Sequence, residues 1–447
     1  MGVLFTYISV FIAQLSFLIA STALTWPSPM LIKLNGTDDN PLGYKISKTE
    51  NSFLASLPTV GAITGSVISG FLASKFGRKT LLLIHAIPFL VCNLVMAWSK
   101  VIWLMFASRT IIGIGLGGIF TILPMYCGEL AHSSNRGILS ASTTVFMNIG
   151  MLIPYSLGPY IPFFWFHIVL AVIPAIFIVA FYLVAPESPY YLIKNDESAA
   201  EAVLMKIRDK ASVPDLMTEM KENSKQTNDA SIIDILKSRA LRRAMIMGFG
   251  GFTFMCLTGT VIVASYSETI FKEAGGNISP EICPIIIGVA QLLMTVFVSA
   301  ITDRYPRKFL LTLSHILVSL VQIPFGTYFF LKQNGYDVES ISWLPLVCLI
   351  TYVCVYNIGV GPILLTLLGE LFPPKVKGPA VSCLVSTNWV LAFLMTSLFN
   401  TLNDLIGIGI LFWIFSACGF AAAIFVKIFM VETKGKTLEE IQDELSS

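Results

Sequence analysis

Apolar and polar residues are segregated along this chain in long blocks. Twelve apolar runs begin near Phe5, Phe53, Leu81, Val101, Ile138, Phe163, Ala244, Ile282, Phe309, Trp343, Pro379 and Leu405. A helix through the hydrocarbon core needs about 20 mainly apolar residues, roughly twice what a barrel strand needs. Backbone polar groups cannot go unsatisfied in lipid, so runs of this length predict helices. One polar block is long. Residues 185–243 hold 20 of the 56 charged residues, ten of each sign, with six runs before them and six after.

The predicted fold is an all-α membrane protein of twelve transmembrane helices in two pseudo-symmetric six-helix bundles, with a short cytosolic helical segment between them. Its expected boundaries are 1–184 for the first bundle, 185–242 for the linker, 243–430 for the second bundle and 431–447 for a cytosolic tail. Within the linker, Ser198 to Arg208 has helical spacing, a second short helix is expected over Ser231 to Ser238, and Glu219 to Ala230 reads as a polar mobile linker. The first run has no Lys or Arg before it and outlasts the apolar core of a signal peptide, so it is read as a membrane helix.

The two halves also share short polar signatures. Pro124 to Glu129, with Arg136 and Gly137, is echoed by Gly369 to Gly378, and Pro186 to Leu192 by Glu432 to Leu438. Each follows an apolar run and sets a carboxylate near basic residues. Such repetition fits two bundles facing each other across a pathway.

Composition and charge agree with this picture and orient it. The chain is 55% hydrophobic and 13% charged, with a mean hydropathy of +0.77, far from a soluble domain. With both termini inside, the cytosolic segments hold 21 of the 29 Lys and Arg residues, and most of the inside excess sits in short loops, at Lys75, Arg78, Lys79, Arg304, Arg307, Lys308, Lys375 and Lys377, where the positive-inside rule has force. The sequons at Asn35 and Asn277 then both fall in external loops as glycosylation candidates. The motifs of phosphate-binding loops, zinc proteases and nucleophile elbows are missing, the four histidines are scattered, and the eight cysteines read as free apolar thiols. No enzyme chemistry, cofactor or metal is expected.

Several motifs together resemble the sugar porters of the major facilitator superfamily, the group that contains the facilitative glucose transporters and insect trehalose transporters. They are Gly70 with Gly77-Arg78-Lys79, Arg109 with Gly113, Gly115 and Gly117, Pro124-x-Tyr126-x-x-Glu129 with Arg136-Gly137, and Pro186-Glu187-Ser188-Pro189. The second half adds Asp303-Arg304-x-x-Arg307-Lys308, Gly361-Pro362, Glu370 to Gly378, Asn388-Trp389 and Glu432 to Ile441. The resemblance covers the whole chain.

It implies gating by charge. In that family, carboxylates and arginines on the cytosolic side pair across the halves when the carrier faces outward. The corresponding residues are Arg78, Glu129, Arg136 and Glu187 in the first half, with Asp303, Arg307, Glu370, Lys377 and Glu432 in the second. Isolated pairs are worth roughly 0–1 kcal/mol, but a cluster formed in one state can bias a two-state equilibrium. Ser74 for the usual aspartate, Pro306 for glycine and Lys377 for arginine suggest a looser inner gate. Arg109 is the intramembrane charge of the first four helices. Such residues are functional by default, and a guanidinium bonded to helix carbonyls is the other reading. Helix one contains no Asp, Glu or His to pair with it, which by the resemblance argues against proton symport.

The resemblance thins at the substrate site. Helix seven reads Met255 to Val261 where relatives carry two glutamines and an asparagine, and Leu365 replaces a tryptophan. The surviving candidates are Thr144, Asn148, Thr258, Gln291, Asn388 and Trp389. The expected activity is facilitative transport of a hexose or trehalose-like sugar across the plasma membrane by alternating access. A proton-coupled symporter and a non-transporting sensor or vestigial carrier remain as alternatives. Expected partners are the sugar and the lipid bilayer, with no nucleic acid and a single chain as the transport unit.

Overall fold

The structure, a computed structural model, describes residues 2–446 apart from 37–38, 132–135, 208–212, 227–237, 276–278, 300–303, 373, 435 and 437. The side chains of Arg136, Glu370 and Lys377 lie outside the description, as do Asn277, Asp303 and the helix expected over 231–238, save Ser238.

The first half comprises α1 (Gly2–Thr25), α2 (Pro27–Asn35), α3 (Lys48–Phe76), α4 (Arg78–Trp98), α5 (Ile102–Leu130), α6 (Arg136–Leu157) and α7 (Phe163–Val184). Three short helices follow: α8 (Pro189–Asn195), α9 (Glu197–Ile207) and α10 (Val213–Gln226). The second half comprises α11 (Arg239–Leu257), α12 (Thr260–Ala274), α13 (Ile282–Ser299), α14 (Arg307–Gln333), α15 (Leu344–Ile358), α16 (Val360–Glu370) and α17 (Pro374–Phe429), with α18 (Leu438–Ser446) at the tail. Twelve spans result because three pairs, α1 with α2, α11 with α12 and α15 with α16, each form one broken span, while α17 contains two limbs meeting at Gly407. Gly407 adopts φ 79° and ψ 154°, a conformation that interrupts the helix and favours a residue without Cβ. The end of the bundles that carries α8 to α10 is termed the linker end, and the opposite end the far end.

Small residues decide how closely the spans approach. Gly61 and Gly65 of α3 lie against the backbone of Thr110 and Ile114, while Gly113 and Gly117 of α5 lie against Pro58 and Ala62. A Cβ at any of these positions would meet main-chain atoms, so α3 and α5 interlock through glycine faces, the packing their spacing anticipates.

The linker differs from its expectation in one respect. Helix α10 runs to Gln226, so residues 219–226 are helical rather than a mobile linker. Val213, Met217 and Met220 recur at helical spacing and pack with Ile193, Ala200, Leu204 and Ile207 against Phe5 of α1, which supplies the tertiary contact that composition alone did not reveal. This cap therefore rides on the first half. Between α8 and α9, the Asp196 carboxylate accepts hydrogen bonds from the Ala199 amide (3.0 Å) and the Ser198 hydroxyl (2.7 Å). These bonds hold its pKa below the usual carboxylate range. The interaction is intact above about pH 4 and is lost as the pH falls through the lowered value. Helix α18 rests on the second half. Ile441 and Leu445 are buried, Arg243 donates to the Leu445 carbonyl at 3.2 Å, and Gln442 donates to the Leu371 carbonyl at 2.8 Å.

Candidate functional site

The halves are joined at the far end. Lys48 of α3 pairs with Asp404 of α17 at 2.7 Å, and the Asn400 amide donates to the Ser52 hydroxyl at 3.0 Å. The Glu268 backbone N–H of α12 donates to the Ser28 hydroxyl of α2 at 3.2 Å, and the Tyr155 hydroxyl of α6 donates to the Ala264 carbonyl at 2.7 Å. Every one of these contacts crosses between halves. Asn35, expected in a loop, instead ends α2, with its amide donating to the Leu31 carbonyl at 2.9 Å. The helix resumes at Pro27 because proline is tolerated in a first helical turn.

Near mid-span a polar seam links the halves. Gln291 of α13 donates to the Asn148 side-chain carbonyl at 3.1 Å, and the Asn148 amide donates to the Thr295 hydroxyl at 2.6 Å. The Thr295 hydroxyl lies 2.9 Å from the Gln291 main-chain carbonyl and 3.1 Å from Asn357 Oδ1 on α15. Two candidates from the sequence, Asn148 and Gln291, thus touch directly. Thr144, half-buried, lies one helical turn before Asn148. Thr295, Asn357 and Gln14 were not singled out from the sequence. Buried Gln14 donates to the Leu139 carbonyl (2.7 Å) and Thr143 (2.9 Å), tying α1 to α6. A lone glutamine in the first apolar run was its only signal.

Two further candidates lie side by side on α17. Asn388 Oδ1 accepts from the Cys256 thiol at 3.2 Å. Trp389 is buried and meets Phe120 edge to face at 5.3 Å, and Phe120 stacks on Phe17 at 4.5 Å. This aromatic file connects α17 to α5 and α1. Among the described residues, the Trp389 indole N–H meets no acceptor.

Thr258 has a different setting. It is fully buried at the break between α11 and α12, where Gly259 adopts φ 81°. Its hydroxyl donates to the Met255 carbonyl at 2.8 Å, while its own carbonyl accepts from Gln322 at 2.7 Å and from the Tyr352 hydroxyl at 3.1 Å. Irregular backbone at membrane depth is tolerated where protein groups satisfy it. Thr258 marks that break.

Arg109 is buried and bonded to carbonyls. Its Nε donates to Leu54 O and a terminal nitrogen to Ala23 O, both at 3.1 Å, and its guanidinium lies 4.4 Å from the Trp26 ring centroid. Each acceptor stands four residues before a proline, Pro27 or Pro58. Proline has no N–H, so neither carbonyl can receive its ordinary helical bond. Arg109 supplies both missing donors. Trp26 in turn donates to His167 at 3.0 Å.

At the linker end, the described hydrogen-bond partners of Glu129, Glu187 and Glu432 lie within their own halves. Arg78 pairs with Glu129 at 2.9 Å, and Ser188 donates to the same carboxylate. Glu187 accepts from the backbone N–H groups of Arg78 (2.8 Å) and Lys79 (2.9 Å), at the start of α4. Glu432 repeats this at the start of α14, accepting from Arg307 (3.0 Å) and Lys308 (3.1 Å). The two carboxylates therefore cap equivalent helices in the two halves, where free N–H groups and the helix dipole favour negative charge. Glu187→Ala and Glu432→Ala should each lower stability by about 0.5–2 kcal/mol. Thermal unfolding of purified protein would show it, and an unchanged melting temperature would reject the capping role.

Two six-helix bundles meeting across a polar seam, with broken spans at the interface, have the architecture of a secondary carrier. The chain belongs to the sugar (and other) transporter family, which it matches over residues 2–445. The facilitated trehalose transporter Tret1 of Polypedilum vanderplanki is 32% identical over 434 residues, covering 96% of this chain and 85% of that protein. Tret1 proteins of Drosophila erecta and Anopheles gambiae are 30% and 29% identical, covering 97% of this chain in each case. This chain spans about half the length of those two, 51% and 55%. Among solved structures, the proton:xylose symporter XylE bound to 6-bromo-6-deoxy-D-glucose superposes with a TM-score of 0.83 over all of both chains at 23% identity. The inward-open form of XylE from E. coli gives 0.80 at 23% identity, covering 98% of this chain and 99% of that one. These likenesses establish the fold.

Proposed function

We propose that this protein is a facilitative sugar transporter that works by alternating access. The observation that carries the reading is the mid-span seam, where Asn148 of one half and Gln291 of the other bond directly. Amides shared between moving halves can exchange each other for sugar hydroxyls. Asn388, Thr144 and the Trp389 indole N–H would complete the polar lining. A trehalose-like disaccharide or a hexose is the proposed cargo, supported by the trehalose transporters among the relatives. The protein is placed in the plasma membrane with both termini cytosolic, so that the linker end faces the cytosol, and one chain forms the transport unit. Asn35 and Asn277 would then lie outside.

Uptake of labelled trehalose, glucose, fructose and polyols by hexose-transport-deficient cells, with and without a protonophore, tests this. Saturable and protonophore-insensitive uptake is expected. Surface-expressed protein that moves none of them would refute it. Glu268, a buried carboxyl beside the far-end closure, is the observation that favours a proton-coupled alternative. Protonophore-sensitive uptake would select that alternative.

A further inference from the structure

We propose that Thr295 and Asn357 form, with Asn148 and Gln291, a clasp that holds the far end closed. The inference rests on the carrier reading only for its purpose, since the clasp itself is a matter of geometry.

Three observations lead to it. First, the four side chains form one continuous chain of donors and acceptors across α6, α13 and α15. Asn148 carries both cross-half bonds, one through its amide to Thr295 (2.6 Å) and one through its carbonyl to Gln291 (3.1 Å). Second, the members are held in place from behind. The Asn357 amide donates to the Val353 carbonyl at 2.7 Å, which turns its Oδ1 toward Thr295. The Thr295 hydroxyl has one proton to give, to Asn357 or to the Gln291 main chain, and one of its two lone pairs receives the Asn148 amide. Asn148, Thr295 and Asn357 are all at least nine-tenths buried, so an unmade bond here has no water to replace it.

Third, a line of contacts between the halves runs from the clasp toward the far end. Going along α6 from Asn148, Leu152 packs on Gly288, and one turn later Tyr155 donates to Ala264 at 2.7 Å. That line leads to the far-end closure at Ser28 and Glu268. Interfaces of this kind are bistable rather than continuously deformable. Loosening the clasp end should therefore release the far end. A sugar that takes Asn148 and Gln291 for its own hydroxyls would do the same, which couples occupancy to opening. Thr295 and Asn357 are positioning residues in this scheme.

The test uses full-length protein in lipid nanodiscs, with Ser265→Cys as a reporter. Ser265 is buried behind the far-end closure, where its hydroxyl faces the Leu24 carbonyl at 3.5 Å. The rate of labelling by a hydrophilic maleimide, measured against protein lacking the reporter, reads the opening. Thr295→Val keeps the shape and removes the hydroxyl, and should raise the rate about threefold to tenfold, the effect of one interhelical hydrogen bond in a membrane. Thr295→Ser keeps the hydroxyl and should label like its parent. Asn357→Ala gives an independent breach from the other side, with the same expected rise, should Thr295→Val not yield folded protein. Equal labelling of Thr295→Val and parent overturns the clasp. So does a Thr295→Ser protein as open as Thr295→Val, because packing would then carry the closure. If Thr295→Val opens the far end but no sugar is transported by any variant, the clasp stands and the sugar-carrier reading falls.

Discussion

Arg109→Leu is expected to cost about 2–6 kcal/mol of stability and to abolish uptake. The reason lies in two prolines on other helices. Pro27 and Pro58 deprive the carbonyls of Ala23 and Leu54 of their helical donors, and Arg109 serves both at 3.1 Å. Leucine would leave two buried acceptors unpaired, at about 1–3 kcal/mol each. It would also remove the cation–π contact with Trp26, which adds about 0.5–2 kcal/mol. Relief from burying the charge works in the opposite direction, so the sign itself is a test. A double-mutant cycle sharpens it. In a Pro27→Ala, Pro58→Ala background the helices regain their own N–H donors, and Arg109→Leu should cost at most half as much. Additive losses in thermal unfolding would show that Arg109 acts elsewhere.

The second large effect is expected at Trp389. Trp389→Ala should eliminate measurable uptake and destabilise the fold by about 3–5 kcal/mol, since the indole closes the aromatic file through Phe120 to Phe17. Trp389→Phe separates packing from recognition. It retains an aromatic face for Phe120 but has no N–H, so its melting temperature should stay close to that of the parent. Its KM should rise about twofold to tenfold, the worth of one hydrogen bond to the sugar. A KM unchanged in Trp389→Phe would assign the indole N–H no part in binding.

Much of the architecture was legible because hydropathy is additive along the chain. Each apolar run is long enough to require its own crossing, wherever its neighbours lie. The broken spans were not legible, because a break is decided by what satisfies it. Thr258 reads as a polar residue available to a sugar, yet Gln322 and Tyr352, more than sixty residues away, converge on its carbonyl. The helix at 219–226 was missed for a similar reason, since its apolar face is narrow and, among the described residues, Phe5 and the neighbouring short helices cover it.

The linker-end charges show how pattern and partner differ. Glu187 and Glu432 read as members of a charge network because basic side chains surround them. In the fold both accept from main-chain N–H groups at the start of α4 and α14, an interaction that depends on where a helix begins. The proline rule behind Arg109 could have been applied from the sequence within a helix, by looking four residues back. Which side chain then reaches both orphaned carbonyls is a question of packing between α1, α3 and α5.

The sequence by itself determined the membrane class, the division into two six-helix halves, the positions of the spans and the family of the chain. These follow from local quantities, apolar length and motif spacing, that any fold of the chain must respect. Only the tertiary structure decided the pairings: Asn148 with Gln291 and Thr295, Trp389 with Phe120, and Arg109 with two carbonyls. A hydrogen bond needs its atoms within about 3 Å, and residues more than fifty positions apart acquire that proximity only when the helices pack.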